Sequence, residues 1–168
     1  MSAAAVATDL ICAAMTAATR AEAATLLGAF LAADGHYLAS SAVYGDGGAA
    51  ALDAALDLFL ARPELGFVWL ARADEGGGRR AVGGCVVCYA ISTSRGTLVA
   101  KLDDVTIADG WRGRGVGAAM LAALAADLGR RGVTRIDSAC HRDNTGAWRF
   151  YQRHGFRPLD EERIALLL

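Results

Sequence analysis

The residues best suited to chemistry lie in one run, Asp109-Gly110-Trp111-Arg112-Gly113-Arg114-Gly115-Val116-Gly117-Ala118. Glycines at alternate positions remove side chains and permit positive φ, so successive backbone N–H groups can converge on one concavity. A helical pattern starts at the same point, and the unpaired N–H groups and positive dipole end of a helix reinforce that concavity. Arg112 and Arg114 add cations for charge-assisted contacts. Together these features describe a cradle for a diphosphate.

Two general phosphate motifs compete for the run. A P-loop requires Gly-Lys-Ser/Thr, which is absent here. The dinucleotide fingerprint is closer, because Gly113-x-Gly115-x-x-Ala118 matches and Asp137 follows about 20 residues later. Against it, Ala108–Arg112 separate the first glycine from the preceding apolar strand. That strand also carries adjacent Asp103 and Asp104, which a strand buried on both faces tolerates poorly. Alternation puts these two carboxylates on opposite faces unless a bulge re-aims one of them. Cys85-Val-Val-Cys88 has metal-site spacing, but in an apolar strand its thiols point to opposite faces and no second pair exists. The reading is core residues and no metal. His36, His141 and His154 lack a partner pattern and receive no catalytic role, His141 being the one to check because it ends the strand beside the cleft.

The elements that must position these groups follow from periodicity. Val6–Cys12 reads as a first strand. Thr19-x-x-Glu22 resembles a capping box, ahead of a helix with Ala23, Leu26, Leu27 and Phe30 on one face and Asp34-Gly35 at its end. His36–Gly48 reads as a loop. Leu52, Leu56, Phe59 and Leu60 form a second helical stripe stopped by Pro63. Phe67–Ala71, Ala81–Ile91 and Thr97–Ile107, separated by short turns, predict an antiparallel meander. Beyond the glycine run, Gly117, Leu121, Leu124 and Leu128 mark a helix, with Arg130, Arg131 and Gly132 suited to its end. Val133–Cys140 then completes a βαβ unit whose strands run parallel. A last helix runs from Thr145 to about His154, capped by Asn144 and ended by Gly155, and Ile164–Leu168 is a final strand candidate.

The 168 residues suit a single domain, 1–168, with a sizeable core. A net charge of −1 offers no general attraction to nucleic acid or anionic lipid. No stretch approaches the roughly 18 apolar residues of a membrane span, and the N-terminus has no basic n-region. A cytoplasmic protein with no nucleic-acid or membrane partner is expected.

With these motifs in order, the chain resembles the GNAT superfamily of N-acetyltransferases. Arg112-x-x-Gly115-x-Gly117 matches the family's Arg/Gln-x-x-Gly-x-Gly/Ala signature, and Asn144-x-x-Ala147-x-x-Phe150-Tyr151-x-x-x-Gly155-Phe156 is similar to its last-helix pattern. The resemblance implies a mixed α/β fold: a mostly antiparallel sheet of six to seven strands, a splayed parallel pair within it, and about four flanking helices. It implies acetyl-CoA as co-substrate, with the pantetheine arm on the backbone of Val105, Thr106 and Ile107. Arg112, Gly113, Arg114, Gly115, Val116, Gly117 and Ala118 would take the pyrophosphate, and Asn144 would touch the arm. Family members are often dimers, so a homodimer is carried as an expectation only.

Amine acetylation requires a deprotonated acceptor nitrogen, fixed donors for an oxyanion, and an acid for the departing thiolate. By the resemblance Tyr151 is that acid, and an ordinary phenol near pKa 10 is protonated at neutral pH. Leu102-Asp103-Asp104-Val105-Thr106-Ile107 is similar to the run in which diamine-acetylating relatives place a carboxylate base. That analogy selects Asp103, directly or through water, with Asp104 in reserve. Tyr37, Tyr44 and Asp46 are acceptor-side candidates, and Arg153 has the reach for the nucleotide end. The expected activity is acetyl transfer to a primary amine, of a small molecule by preference. A protein lysine or N-terminus, a non-catalytic acyl-CoA-binding module and a dinucleotide-binding protein remain as alternatives.

Overall fold

A computed structural model describes residues 9–35 and 47–159. Its elements are β1 (Ile11–Ala14), α1 (Arg20–Ala33), α2 (Gly48–Ala61), β2 (Gly66–Asp74), β3 (Arg79–Ser92), β4 (Thr97–Ile107), α3 (Val116–Arg130), β5 (Val133–Ser138) and α4 (Thr145–Arg153). A single turn of 3-10 helix, Ala17–Thr19, precedes α1. The strands form one sheet in the order β1-β2-β3-β4-β5, with the first four antiparallel and β4–β5 parallel.

Each face of the sheet has its own core. Leu26 and Leu27 of α1 and Leu56 of α2 pack on Val68 and Leu70 of β2. On the other face Val116, Met120, Leu124 and Leu128 of α3 and Tyr151 of α4 close over Trp69, Val82, Val87 and Leu102. This two-faced burial is what the 3.6- and 2-residue periodicities of the sequence demanded.

The sheet corrects the expectation of six to seven strands: the described residues contain five. Each expected strand that falls between residues 9 and 159 forms one strand, and the segments flanking α4 are turn and irregular chain. Ile164–Leu168 lies outside the described residues, as do Val6–Thr8 and His36–Asp46 with Tyr37, Tyr44 and Asp46. The first strand also lies later than the Val6–Cys12 expectation, pairing Ile11 with Arg72 through Ala14 with Trp69. Asp9 is drawn out of the ladder by Arg79, whose Nη2 is 2.7 Å from its carboxylate. Val133–Cys140 shortens to Val133–Ser138.

The expected capping box is displaced by one turn. The Thr16 backbone N–H donates to Thr19 Oγ1 at 2.9 Å, while Thr19 makes no side-chain cap bond for α1. Glu22 instead receives Arg72 of β2 in a bidentate pair, Nη2 at 2.7 Å and Nε at 2.8 Å. A half-buried guanidinium is a stronger partner for a carboxylate than a neutral amide N–H. The cysteines of Cys85-Val-Val-Cys88 sit as alternation requires, Cys85 buried and Cys88 partly exposed, both as free thiols. No helix among the described residues is long and apolar enough to cross a membrane.

Candidate active site

β4 and β5 part company partway along. Their last paired step is Leu102 with Ser138, where β5 ends, while β4 continues unaccompanied to Ile107. The cause is a bulge. Gly84 pairs with Thr106 but Val86 pairs with Asp103, so Cys85 alone faces both Asp104 and Val105. Asp104 has φ +50, the one positive φ outside glycine among the described residues. An extra residue bends and twists its strand, and here it does so immediately beyond the last rung shared with β5.

The gap is lined on one side by β4 backbone. Ala108 donates its N–H to Val82 of β3 at 2.9 Å. Alternation then turns Thr106 toward β3, and Val105 and Ile107 toward the open side. Of the three expected backbone contacts, the fold therefore brings Val105 and Ile107 to the gap. Thr106 is buried with its backbone committed to β3.

The glycine-rich loop closes the wide end of the gap. Gly110, Gly113 and Gly115 have φ of +81, +71 and +83, and Gly115 caps α3. The first α3 backbone bond runs from Ala119 N–H to Gly115 O at 3.0 Å. Among the described residues, the N–H groups of Gly113 through Ala118 have no acceptor. A Cβ added at Gly113 or Gly115 would meet nothing within 4 Å, so backbone conformation and open space, not neighbouring protein, make these positions glycine. Gly117 differs: its Cβ would press Phe150 of α4 at 3.2 Å, so this glycine lets α3 and α4 touch.

The two arginines are held back from the cradle. Arg112 Nε donates to the Ile107 carbonyl at 3.1 Å and Nη2 lies 3.5 Å from Asp109. Arg114 stacks its guanidinium over Trp111, 5.2 Å from the ring centroid. The donors left facing outward are main-chain ones.

α4 delivers Tyr151 to the fork. Asn144 accepts the Ala147 N–H at 3.0 Å and so starts the helix, leaving its amide nitrogen as a donor for other partners. Tyr151 is 8% exposed, its ring between Phe150 and Phe156 at centroid separations of 5.5 and 5.1 Å. Burial pushes the phenol above its ordinary pKa, opposed by hydrogen bonding with Ser138. The Ser138 hydroxyl donates to the Leu102 carbonyl at 3.1 Å, so the phenol stands at the apex where the strands separate.

The two carboxylates have unlike surroundings. Lys101 Nζ sits 2.6 Å from Asp103. Burial raises the Asp104 pKa, the neighbouring Asp103 charge adds to the rise, Lys101 opposes it, and Asp34 at the end of α1 adds a further push upward. Lys101 was legible in advance, since residues two apart on a strand share a face. Ser138 and Asp34 were not, because register and helix docking bring them here. His154 stacks on Phe150 at 4.7 Å, and the His141 carbonyl accepts the Asn144 N–H at 3.0 Å.

The arrangement can grip an elongated anionic ligand by its backbone, with a proton donor at the narrow end, Asp103 near enough to act on it, and Asp104 next along β4. A family model described as "Acetyltransferase (GNAT) family" matches residues 35–156. No curated protein matches the sequence. Among solved structures, a probable acetyltransferase superposes with TM-score 0.74 at 22% identity, covering 95% of this chain and 96% of its own. Glucosamine-6-phosphate N-acetyltransferase from Arabidopsis thaliana gives 0.66 at 12% identity, over 94% and 97%. Ribosomal-protein-alanine N-acetyltransferase from Brucella melitensis biovar Abortus 2308 gives 0.71 at 15%, over 95% and 99%. At these identities the likeness is one of fold.

Proposed function

Because this chain belongs to the acetyltransferase (GNAT) family and is an N-acetyltransferase, we propose that it transfers the acetyl group of acetyl-CoA to a primary amine of a small molecule by direct attack. The observation that carries this reading is the row of unpartnered N–H groups from Gly113 to Ala118 opening onto a strand fork with Tyr151 at its apex. The residues present fit acetyl-CoA: convergent main-chain donors suit a diphosphate, and the backbone of Val105 and Ile107, which faces no strand on the open side, suits the amides of a pantetheine arm. Bound there, acetyl-CoA supplies an activated thioester.

The rest is the work of this chain. Gly113–Ala118 amides hold the diphosphate, and the Asn144 amide nitrogen donates toward the arm. Tyr151, kept protonated by burial, gives its proton to the departing sulfur. Asp104 takes the proton from the acceptor amine, directly or through water. Its raised pKa makes it a stronger base than an ordinary aspartate, and among the described residues it has no ion-pair or hydrogen-bond partner to displace. Asp103, tied to Lys101, contributes negative charge. Asp103, Asp104 and Asp34 together favour a cationic amine as acceptor.

The test is thiol release from acetyl-CoA against polyamines, amino acids, aminoglycosides and peptides. Release with one class of small amine supports the reading. Release with peptides alone points to a protein substrate, and tight CoA binding without acceptor-dependent release to a non-catalytic module.

A further inference from the structure

The glycine-rich loop has little of its own to hold it still. Its three positive-φ glycines make no packing contact through a Cβ position, and most of its polar ties are local: Trp111 N–H to Ala108 O at 3.1 Å, and Arg112 Nε to Ile107 O at 3.1 Å. Both anchor it only to the end of β4. Among the described residues one polar tie reaches farther. Trp111 Nε1 donates to Glu75 Oε1 at 2.9 Å, across 36 residues, from the loop to the β2–β3 turn.

That turn is braced independently. Asp74 Oδ1 accepts the Gly76 N–H at 2.8 Å, and Glu75 N–H reaches Gly78 O at 3.3 Å. The Trp111 ring in turn packs against the α3-side core and carries Arg114 on its face. The order is therefore hairpin turn, Glu75, indole, Arg114, and next to Arg114 the N–H groups of the cradle.

We infer that Glu75 and Trp111 are a positioning pair for the reaction: the β2–β3 turn, through the indole, holds the cofactor loop in its donor-presenting conformation before acetyl-CoA arrives. This rests on the acetyl-CoA reading above. A loop ordered in advance loses less entropy on binding, so removing the tie weakens binding of ground and transition states alike and leaves the chemical step intact. Neither residue touches the thioester end of the site, which lies at Tyr151 and Ser138.

The experiment measures acetyl-CoA affinity by calorimetry and steady-state kinetics with the best acceptor, for the full chain and for Glu75→Ala, Glu75→Gln, Trp111→Phe and the Glu75→Ala/Trp111→Phe double variant. Glu75→Ala and Trp111→Phe should each raise the acetyl-CoA KM and Kd about three- to tenfold, with kcat within about twofold, the size of one ordinary net hydrogen bond at an exposed position. Glu75→Gln, which keeps an acceptor oxygen, should restore most of the affinity. The double variant should be no worse than either single one, since both remove the same bond. Unchanged KM in Glu75→Ala, a loss confined to kcat, or additive losses would overturn the inference. Failure of the unaltered chain to bind acetyl-CoA would instead refute the function on which it rests, and this inference with it.

Discussion

Asp103 and Asp104 are adjacent in the chain, yet only Asp103 carries a cation, with Lys101 Nζ at 2.6 Å, while Asp104 occupies a left-handed bulge position at φ +50. Asp tolerates that region better than most residues, but its cost persists only where the surroundings impose it. The bulge does two things at once: it turns β4 away from β5, and it gives Asp104 buried surroundings that include Asp34 at the end of α1. From this follows the first prediction. Asp104→Asn should lower kcat by at least about 100-fold, the usual worth of a general base, and Asp103→Asn by much less. The reverse ranking in steady-state kinetics would return the role to Asp103.

The same carboxylate predicts a pH dependence. Asp104 has a folded pKa above its ordinary value, so the native state holds a proton that the unfolded state has released in the window between the two values. Stability from this group is present below the unfolded pKa and is lost as pH rises through the folded one. Thermal melts of Asp104→Asn should therefore show a higher Tm than the unaltered protein at pH 7, a difference that shrinks as pH falls through that window. Activity runs the opposite way, falling as the base is protonated.

Tyr151→Phe keeps the ring between Phe150 and Phe156 and removes only the hydroxyl. Its Tm should hold within a few degrees, its acetyl-CoA KM within about twofold, and kcat should fall by roughly 100-fold. A kcat unchanged in a thiol-release assay would remove the acid role.

The glycines of the cradle should separate by mechanism. Gly115→Ala forces a side chain into φ +83 at the start of α3, at about 1–2 kcal/mol, and places a methyl where the ligand belongs. Its acetyl-CoA Kd should rise at least about tenfold. Gly117→Ala presses on the edge of the Phe150 ring at 3.2 Å and meets Ile107 at an ordinary 3.7 Å. A small shift of that ring should suffice, with a Kd change of a few-fold at most. Calorimetric titration of both variants distinguishes them.

Arg112 is 71% exposed along its side chain and already engaged with Ile107 and Asp109. Arg112→Gln should cost less than about tenfold in acetyl-CoA affinity, in keeping with a small exposed electrostatic contribution. A larger loss, steeply dependent on salt, would show that the guanidinium swings out to the diphosphate.

What the sequence determined by itself is whatever depends on neighbours along the chain. Gly113 and Gly115 mark the cradle because positive φ is a local property. Asn144 and Gly132 mark helix ends because caps involve residues within one turn, and the apolar periods of α1, α3 and the meander set the two cores. Tertiary structure decided the rest. The bulge at Asp104 arises from the register of β3 on β4, where one extra residue re-aims a side chain without any mark in composition. The meeting of Tyr151 with Ser138, the nearness of Asp34 to Asp104, and the Glu75 hold on Trp111 join residues from separate elements. Such contacts exist only once helices dock on the sheet and strands choose a register, because those steps are driven by burial summed over whole faces and not by any single position.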